Sequence, residues 1–543
     1  MPFYNSYGCR FFMCSIDSCI FFFRDTFKNK NLQFNKMKER NLASDIFSSS
    51  FYSISTVLFA RFGGIIFTII LARMLKPELF GVYGLASSIA LMVFSFLDPA
   101  INQTLLRYFS YEHGRERIAI AVSYLKFLFK TKILISIIVG IIITSFAYPI
   151  SIYVFDKPGL FIPLLLFLLY AFLQSVQVFF EPIFYSYNKV FYLLIREMIF
   201  QPLRITLLMA GIFFFSFESY VSSAIVSSII AILLTLFLTI YLTKIIEPQI
   251  FSKISFSINK KRVIQFLSLI AVGGVSSVFF SYIDIIMLGI FLPSEFVGYY
   301  KASTTLVFGV ISVFAFSNVL LPVYTKISKE RFSHIFNTSF KYPMMLAVPS
   351  TFGIVILAKS IIKAMYGSEY SLSYLPTIFL SFLIIENLGT GLFSTFFASQ
   401  EKLKKPVILS MIAVALNIIL NYFFITYLMD YSKEYALAGA AFATLISKYF
   451  IFFGSWGIFE KEFSIKMEKT SFLKPLFSSI IMFVVLQFFS KSFLEVHILF
   501  EIFRIILGVF VYFLAMFLIG GITRKDIVFL RNSSYFSKKD KNI

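Results

Sequence analysis

Hydrophobic and polar positions along the chain alternate on a long scale: apolar runs of twenty or more residues, separated by short polar gaps. About fourteen such runs can be marked, near 47–72, 81–105, 124–147, 160–183, 190–215, 221–243, 263–291, 297–322, 336–360, 372–397, 406–428, 436–458, 472–490 and 498–520. An apolar stretch of about 20 residues spans the hydrocarbon core of a bilayer as a helix. The pattern therefore predicts an all-α integral membrane protein with about 14 transmembrane helices. Lys130 and Lys132 interrupt the third run, and the thirteenth is short. No gap is long enough for a separate soluble domain.

The pattern also repeats. LARMLKPELFGVYGLASS, residues 71–88, is echoed by LGIFLPSEFVGYYKASTT, residues 288–305. At an offset of 217, Leu71, Leu75, Glu78, Gly81 and Tyr83 meet Leu288, Leu292, Glu295, Gly298 and Tyr300, while Pro77 and Pro293 miss by one place. Gly63-Gly64 precedes one copy and Gly273-Gly274 the other. At an offset of 213, residues 161–190 align with 374–403, matching Pro163 to Pro376, Ser186 to Ser399 and Lys189 to Lys402. Matched turn residues at steady offsets favour duplication over chance likeness between greasy segments. Each copy holds six spans, an even number, so the copies share one topology and a pseudo-two-fold along the membrane normal relates them. The expected organisation is an extension at 1–36, an N-lobe at 37–243 (spans one to six) and a linker at 244–262. A C-lobe at 263–458 (spans seven to twelve), two further spans at 459–520 and a basic tail at 521–543 follow. Each hairpin is then an outer turn between the first two spans of its lobe.

Composition agrees with the bilayer. Of 543 residues 58% are hydrophobic and 14% charged, and the mean hydropathy is +0.84, against about 25% charged in soluble domains. The formal charge of +21 invites a nucleic-acid reading, but its distribution excludes one. With the gaps numbered alternately from a cytoplasmic N-terminus, 34 of the 49 Lys and Arg fall in inner segments and 7 in outer ones, the other 8 lying within spans or at the extreme N-terminus. That is the positive-inside bias, and it predicts two cytoplasmic termini. Cys9, Cys14 and Cys19 match no zinc or redox spacing. The leader that holds them makes a poor signal peptide, because Asp17 splits its apolar run. Residues 1–36 are expected to be non-functional, with Met37 a second candidate start.

RFGGIIFTIILARMLKPELFGVYGLASS resembles the first hairpin of polysaccharide flippases in the multidrug/oligosaccharidyl-lipid/polysaccharide exporter superfamily. YIDIIMLGIFLPSEFVGYYKAS resembles their seventh and eighth spans. ASQEKLKKPVILSMIAVALNIILNYFFITYL with ALAGAAFATLIS resembles the region from their tenth loop to their twelfth span. The likeness covers roughly residues 40–520. It implies a fourteen-span, two-lobed carrier that moves lipid-linked oligosaccharides on a polyprenyl pyrophosphate (undecaprenyl-type) carrier from the inner leaflet to the outer.

Polar residues inside spans are costly and usually face a cavity or a partner helix. Gln174, Gln177 and Glu181 share one helix face in span four, and the 213 offset carries them to Asn387, Thr390 and Ser394 in span ten. Glu386 lies beside the second stripe, and Asn417 and Asn421 share a face in span eleven. These residues either line a common cavity or bond helices to one another. Four cations sit in spans: Arg61, Arg204, Lys301 and Lys448. A pyrophosphate crossing a low-dielectric path needs such countercharge; the competing reading pairs them with Asp98, Asp284 or Glu386. Lys301 is close enough to its span's end to snorkel outward. Asp284, in the apolar setting SYIDIIM, could exchange a proton or sodium and so couple transport to an ion gradient, with Asp98 a second candidate. It could equally be the lasting partner of a cation.

The first functional expectation is a lipid-linked oligosaccharide flippase working by alternating access, in a pathway that also holds glycosyltransferases and a polymerase, with membrane lipids as its surroundings. It is not expected to be an enzyme or to need a cofactor beyond an ion gradient. A multidrug exporter is the alternative, disfavoured because cationic cargo would be repelled. A membrane polymerase would need acidic clusters or a large outer loop, and the outer gaps are short. The three histidines, His113, His334 and His497, lie outside spans or at their ends and suggest no metal site. A chain beginning at Met37 is expected to insert and transport like the full chain; loss of transport at unchanged expression would show that the leader matters.

Overall fold

The computed structural model describes residues 39–96, 98–214, 220–252, 256–314, 320–326, 331–490, 498–523 and 526. The 1–36 extension and nearly all of the tail beyond 523 lie outside the described residues. Every long element is a helix, as expected. In order they are α1 (Glu39–Ser95), α2 (Asp98–His113), α3 (Ile118–Pro149), α4 (Phe161–Phe179), α5 (Glu181–Ser186), α6 (Phe191–Phe214), α7 (Tyr220–Ile246), α8 (Lys260–Phe291) and α9 (Ser294–Val313). They continue with α10 (Leu321–Lys326), α11 (Phe332–Tyr366), α12 (Tyr374–Ser381), α13 (Leu383–Ser399), α14 (Lys404–Met429), α15 (Lys433–Phe463), α16 (Thr470–Ser490) and α17 (Ile498–Leu518).

Twelve segments among the described residues are long and apolar enough to cross a membrane by length and composition. The first, Ser48–His113, has 66 residues and contains two of the expected spans. The expectation of about fourteen counts these separately and adds α6, which is outside the twelve and carries Arg196, Glu197 and Arg204.

The chain divides into two compact units. Unit 1 comprises residues 1–63, 86–282 and 397–411; unit 2 comprises 64–85, 283–396 and 412–543. The core of unit 1 joins α2, α3, α5 and α7 through Ile101, Leu105, Phe109, Leu125, Ile183 and Leu236. Hydroxyls along α7 bond back to their own helix, Thr235 to the Ala231 carbonyl, Thr239 to that of Thr235 and Thr243 to that of Thr239. A polar side chain can thereby sit in a span without an open hydrogen bond. The segment after α7 is tied to α3, where Lys126 donates to the Ser252 carbonyl and Ser123 Oγ accepts from Phe256 N–H at 2.8 Å.

Unit 2 shows what the duplicated hairpin does. In the first copy Lys76 breaks α1 with φ 59°, ψ 168°. Pro77 follows, and a residue before proline is excluded from the helical region. In the second copy the proline is itself the cap, with Pro293 at φ −54°, ψ 155°. The one-place mismatch is thus two ways of starting the same helix. The equivalent glycines then meet. A Cβ on Gly81 would stand 1.7 Å from the Ser294 carbonyl oxygen, and one on Gly298 would stand 2.1 Å from that of Pro77. Ser294 is the counterpart of Pro77 at the same 217 offset, so the two hairpins cross about a local two-fold, backbone on backbone. Only glycine allows that approach.

The hairpin is fastened further. Arg73 donates from Nη2 and Nε to the carbonyls of Ala364 and Met365, in the last turn of α11, and Tyr370 Oη donates to the Ala72 carbonyl at 2.8 Å. The C-terminal helices are held to α11 at three levels. Ser360 donates to Glu501, which also pairs with Arg504. In the middle, Pro349 cannot bond the Met345 carbonyl, and Tyr512 Oη takes it at 2.7 Å. At the far end Asp526 accepts from Lys341 Nζ, Tyr342 Oη, Thr523 N–H and Thr523 Oγ1. Burial works against the Asp526 charge, but Lys341, Thr523 and Tyr342 outweigh it and hold the carboxyl well below its usual range.

Gly273 and Gly274 behave otherwise, since no atom lies within 4 Å of where a Cβ would be. Gly81→Ala and Gly298→Ala are each expected to destabilise the protein by roughly 1–3 kcal/mol through overpacking. Gly273→Ala should hold or gain slightly, because Ala exceeds Gly in a helix by about 1 kcal/mol. Thermal unfolding in detergent decides it; equal midpoints for all three would contradict the crossing.

Candidate functional site

Asp284, on α8, is a bonded polar centre within the spans of unit 2. Its Oδ2 accepts from Tyr300 Oη at 2.7 Å and from Thr444 Oγ1 at 2.6 Å, and its Oδ1 accepts from Asn421 Nδ2 at 2.8 Å. Thr444 Oγ1 in turn accepts from Asn417 Nδ2 at 3.0 Å. The five residues come from α8, α9, α14 and α15, and all are buried. Asn417 and Asn421 are one turn apart, so both amides leave α14 on the same face. Among the described residues the bonding partners of Asp284 are all uncharged. The amide oxygens of Asn417 and Asn421 are buried and meet no donor. The amide nitrogens face the carboxylate and the Thr444 hydroxyl, so the centre is a ring of neutral donors around one buried acid.

The remaining candidates are placed as follows. Lys301, on α9, is half-buried, with its stem against Gly84: a Cβ on Gly84 would be 3.3 Å from Lys301 Cγ. Gly84 is the counterpart of Lys301 at the 217 offset, so one copy of the repeat makes room for the cation of the other. Among the described residues no carboxylate acts on the Lys301 ammonium. Lys448 stands in electrostatic reach of Glu386, whose Oε1 accepts from Thr390 Oγ1 at 2.8 Å. Asn387 is exposed.

In unit 1, Arg61 is exposed, its charge reaching Tyr282, and Arg204 lies 5.1 Å from the Phe200 ring centroid. The span-four stripe is partly engaged. Gln177 donates to Thr235 Oγ1 at 2.8 Å, and Glu181 accepts from Arg196 Nη2 at 2.8 Å; Gln174 Oε1 is buried without a partner. Asp98 is bound by Ser175 Oγ at 2.6 Å and by Lys132 Nζ at 2.9 Å.

Three participants escape the sequence reading: Lys132, taken there only as an interruption, and Arg196 and Glu197. A cation in an apolar run was the available signal for the first two. Gly63 does approach a neighbour, a Cβ there falling 2.6 Å from Gln201 Cγ.

Comparison with known proteins places the chain in a family. The family model described as polysaccharide biosynthesis protein matches residues 70–375, more than half the chain, and that of the lipid II flippase MurJ matches 294–508. A probable low-salt glycan biosynthesis flippase, Agl15 of Haloferax volcanii, is 26% identical over 212 residues, 36% of this chain. The chain spans only 42% of that relative's length. Among solved structures, lipid II flippase MurJ in an inward closed conformation is similar with a TM-score of 0.69 and 17% identity, covering 88% of this chain and 99% of that one. An inward-facing multidrug resistance MATE family transporter of the MOP superfamily gives 0.51 and 13%, covering 77% and 94%. Both likenesses establish the fold.

Thr444→Val removes one donor from a buried carboxylate, and a hydrogen bond to a charged group contributes about 1.5–3 kcal/mol. The thermal midpoint of that variant is expected to fall, while Thr426→Val, half-buried on α14 and bonded only to its own helix, should not move it. Equal midpoints would show that the Asp284 centre is not tightly bonded.

Proposed function

The chain belongs to the polysaccharide biosynthesis protein family, and on that premise we propose that it is a flippase. It carries lipid-linked oligosaccharide units, on polyprenyl pyrophosphate, from the cytoplasmic to the outer leaflet by alternating access, for surface polysaccharide synthesis. It is a transporter and not an enzyme. The observation that carries the reading is Lys301, a cation within a spanning helix on which no carboxylate acts among the described residues. A diphosphate-linked head needs such a charge, and a lysine left alone in a span is otherwise expensive. Lys448 would add countercharge in unit 2, and Arg61 and Arg204 would do so in unit 1. Gln174, Asn387 and Glu386 are the groups that would bond sugar hydroxyls.

The Asp284 centre is the coupling site of this reading. Sodium would bind the carboxylate once the Asn417 and Asn421 amides turn their oxygens toward it; a proton would neutralise Asp284 and loosen the bonds to Tyr300, Thr444 and Asn421. Either event changes how α8, α9, α14 and α15 are held together, which is what coupling to a gradient requires. The membrane is the cell's cytoplasmic membrane, with both termini inside, and the pathway's glycosyltransferases and polymerase act before and after it.

A multidrug exporter is the second reading, favoured by the fold it shares with the MATE transporter. The intramembrane cations count against it, because cationic cargo would meet like charge.

Depleting the protein is expected to leave the lipid-linked oligosaccharide facing the cytoplasm and to remove a surface glycan. A membrane-impermeant glycosidase applied to sealed vesicles of known orientation reads the leaflet. Accumulation on the outer face would indicate a polymerase or ligase, and an unchanged intermediate with altered tolerance of cationic drugs would indicate the exporter.

A further inference from the structure

Unit 1 contains two interruptions of apolar segments, the second only a tightened turn at Phe180 (φ −83°, ψ −13°), and the same dipeptide device restarts the helix after each. Beyond Ser95 the chain resumes as α2 with Asp98-Pro99; beyond Phe179 it resumes as α5 with Glu181-Pro182. An acid at a helix start is favoured by the open N–H groups there. A proline in the first turn gives up a donor the helix does not use. Each proline also leaves the carbonyl four residues back, in Ser95 or Val178, without its helical partner. Both points are therefore weak in bending and strong in restarting.

A buried cation from a neighbouring helix holds each acid. Lys132 Nζ of α3 lies 2.9 Å from Asp98 Oδ1, and Arg196 Nη2 of α6 lies 2.8 Å from Glu181 Oε1. Arg196 is not committed to one partner. Glu181 also acts on the Lys132 charge. Arg196 Nη2 also contacts Glu197 Oε1 at 2.9 Å, while its Nε and Nη1 are buried and bond nothing. The order is Asp98, Lys132, Glu181, Arg196, Glu197, with signs alternating; Arg196 touches two carboxylates, and Lys132 touches Asp98 within electrostatic reach of Glu181. Gln201 extends the row, donating to Glu197 Oε2 at 3.1 Å and packing on Gly63 of α1.

A buried charge that loses its partner is strongly destabilising, so a fixed pair would resist movement of its helix. Transfer to an adjacent carboxylate avoids that state. We propose that these five residues form a sliding ion-pair ladder. As the half-helices α2 and α5 pivot at their breaks, Lys132 passes from Asp98 toward Glu181 and Arg196 from Glu181 to Glu197. Unit 1 thereby changes shape without presenting a bare charge to hydrocarbon. Glu197 is the positioning residue that provides the second station for Arg196. The device belongs to unit 1 alone and goes beyond the proposed function, since it holds whatever the cargo is.

The test uses no cargo. In the full chain with Cys9, Cys14 and Cys19 replaced by serine, spin labels are placed at cysteines substituted for Tyr111 on α2 and Tyr241 on α7, both exposed. Pulsed dipolar spectroscopy in lipid nanodiscs is expected to give two distances for this parent. Glu197→Gln, which keeps the Arg196–Glu181 pair, should give one, and Glu197→Asp should restore two. Should Glu197→Gln fail to fold, the double variant Asp98→Asn/Lys132→Gln, which removes a pair and leaves no bare charge, is likewise expected to give one. A single distance in the parent, or two distances in a folded Glu197→Gln or double variant, overturns the ladder.

Discussion

A polar group taken into hydrocarbon keeps its bonds or costs several kcal/mol, and most of what distinguishes this protein from a plain bundle of greasy helices answers that constraint. The hydroxyls of α7 bond back to their own helix. The carbonyl that Pro349 abandons is taken by Tyr512. Asp284 collects three neutral donors, and the acids of unit 1 collect Lys132 and Arg196. Where one donor meets two acids, as Arg196 Nη2 does, the structure has room to change. No carboxylate meets Lys301 among the described residues, which is why the proposed anionic head is assigned there.

The duplicated hairpin follows from the same economy of close packing. Two helices in a lipid gain little from hydrophobic burial against each other, so they associate where small residues let their backbones touch. Gly81 and Gly298 supply that contact from equivalent positions, each against the backbone of the other copy's first turn. Three residues further on the copies diverge. Gly84 remains small and Lys301 becomes a cation whose stem lies in the space. A symmetric joint thus hosts an asymmetric charge, which explains why the repeat is kept at the turn and relaxed beside it.

Much of this was legible in the sequence, and the limits have a physical cause. Apolar run length reveals spans because bilayer thickness fixes it, and matched turn residues reveal the repeat because few residues can make those turns. Asp284 stood out since a lone acid in an apolar run has few explanations. Its partners did not: Asn417 and Asn421 read as a stripe, and periodicity gives the face of a helix but not the helix it faces. Glu181 read as part of a stripe for the same reason, although Arg196 holds it. Lys132 looked like a flaw in a span because its partner Asp98 lies on another helix. The paired glycines at 63–64 and 273–274 looked alike, yet Gly63 packs on Gln201 while nothing approaches Gly273 or Gly274. Close approach needs a neighbour, and the neighbour is a property of the fold.

The claim on which the account rests is that an anionic, lipid-tethered head crosses the bilayer through this protein. Purified full-length chain in sealed proteoliposomes, loaded in one leaflet with a defined polyprenyl diphosphate oligosaccharide, tests it most directly. The amount reaching the opposite leaflet is read by an impermeant glycosidase. Transfer well above that in protein-free vesicles, weakened by Lys301→Gln in a folded protein, is the result predicted. Transfer no faster than in protein-free vesicles, whichever ion gradient is imposed, would contradict it.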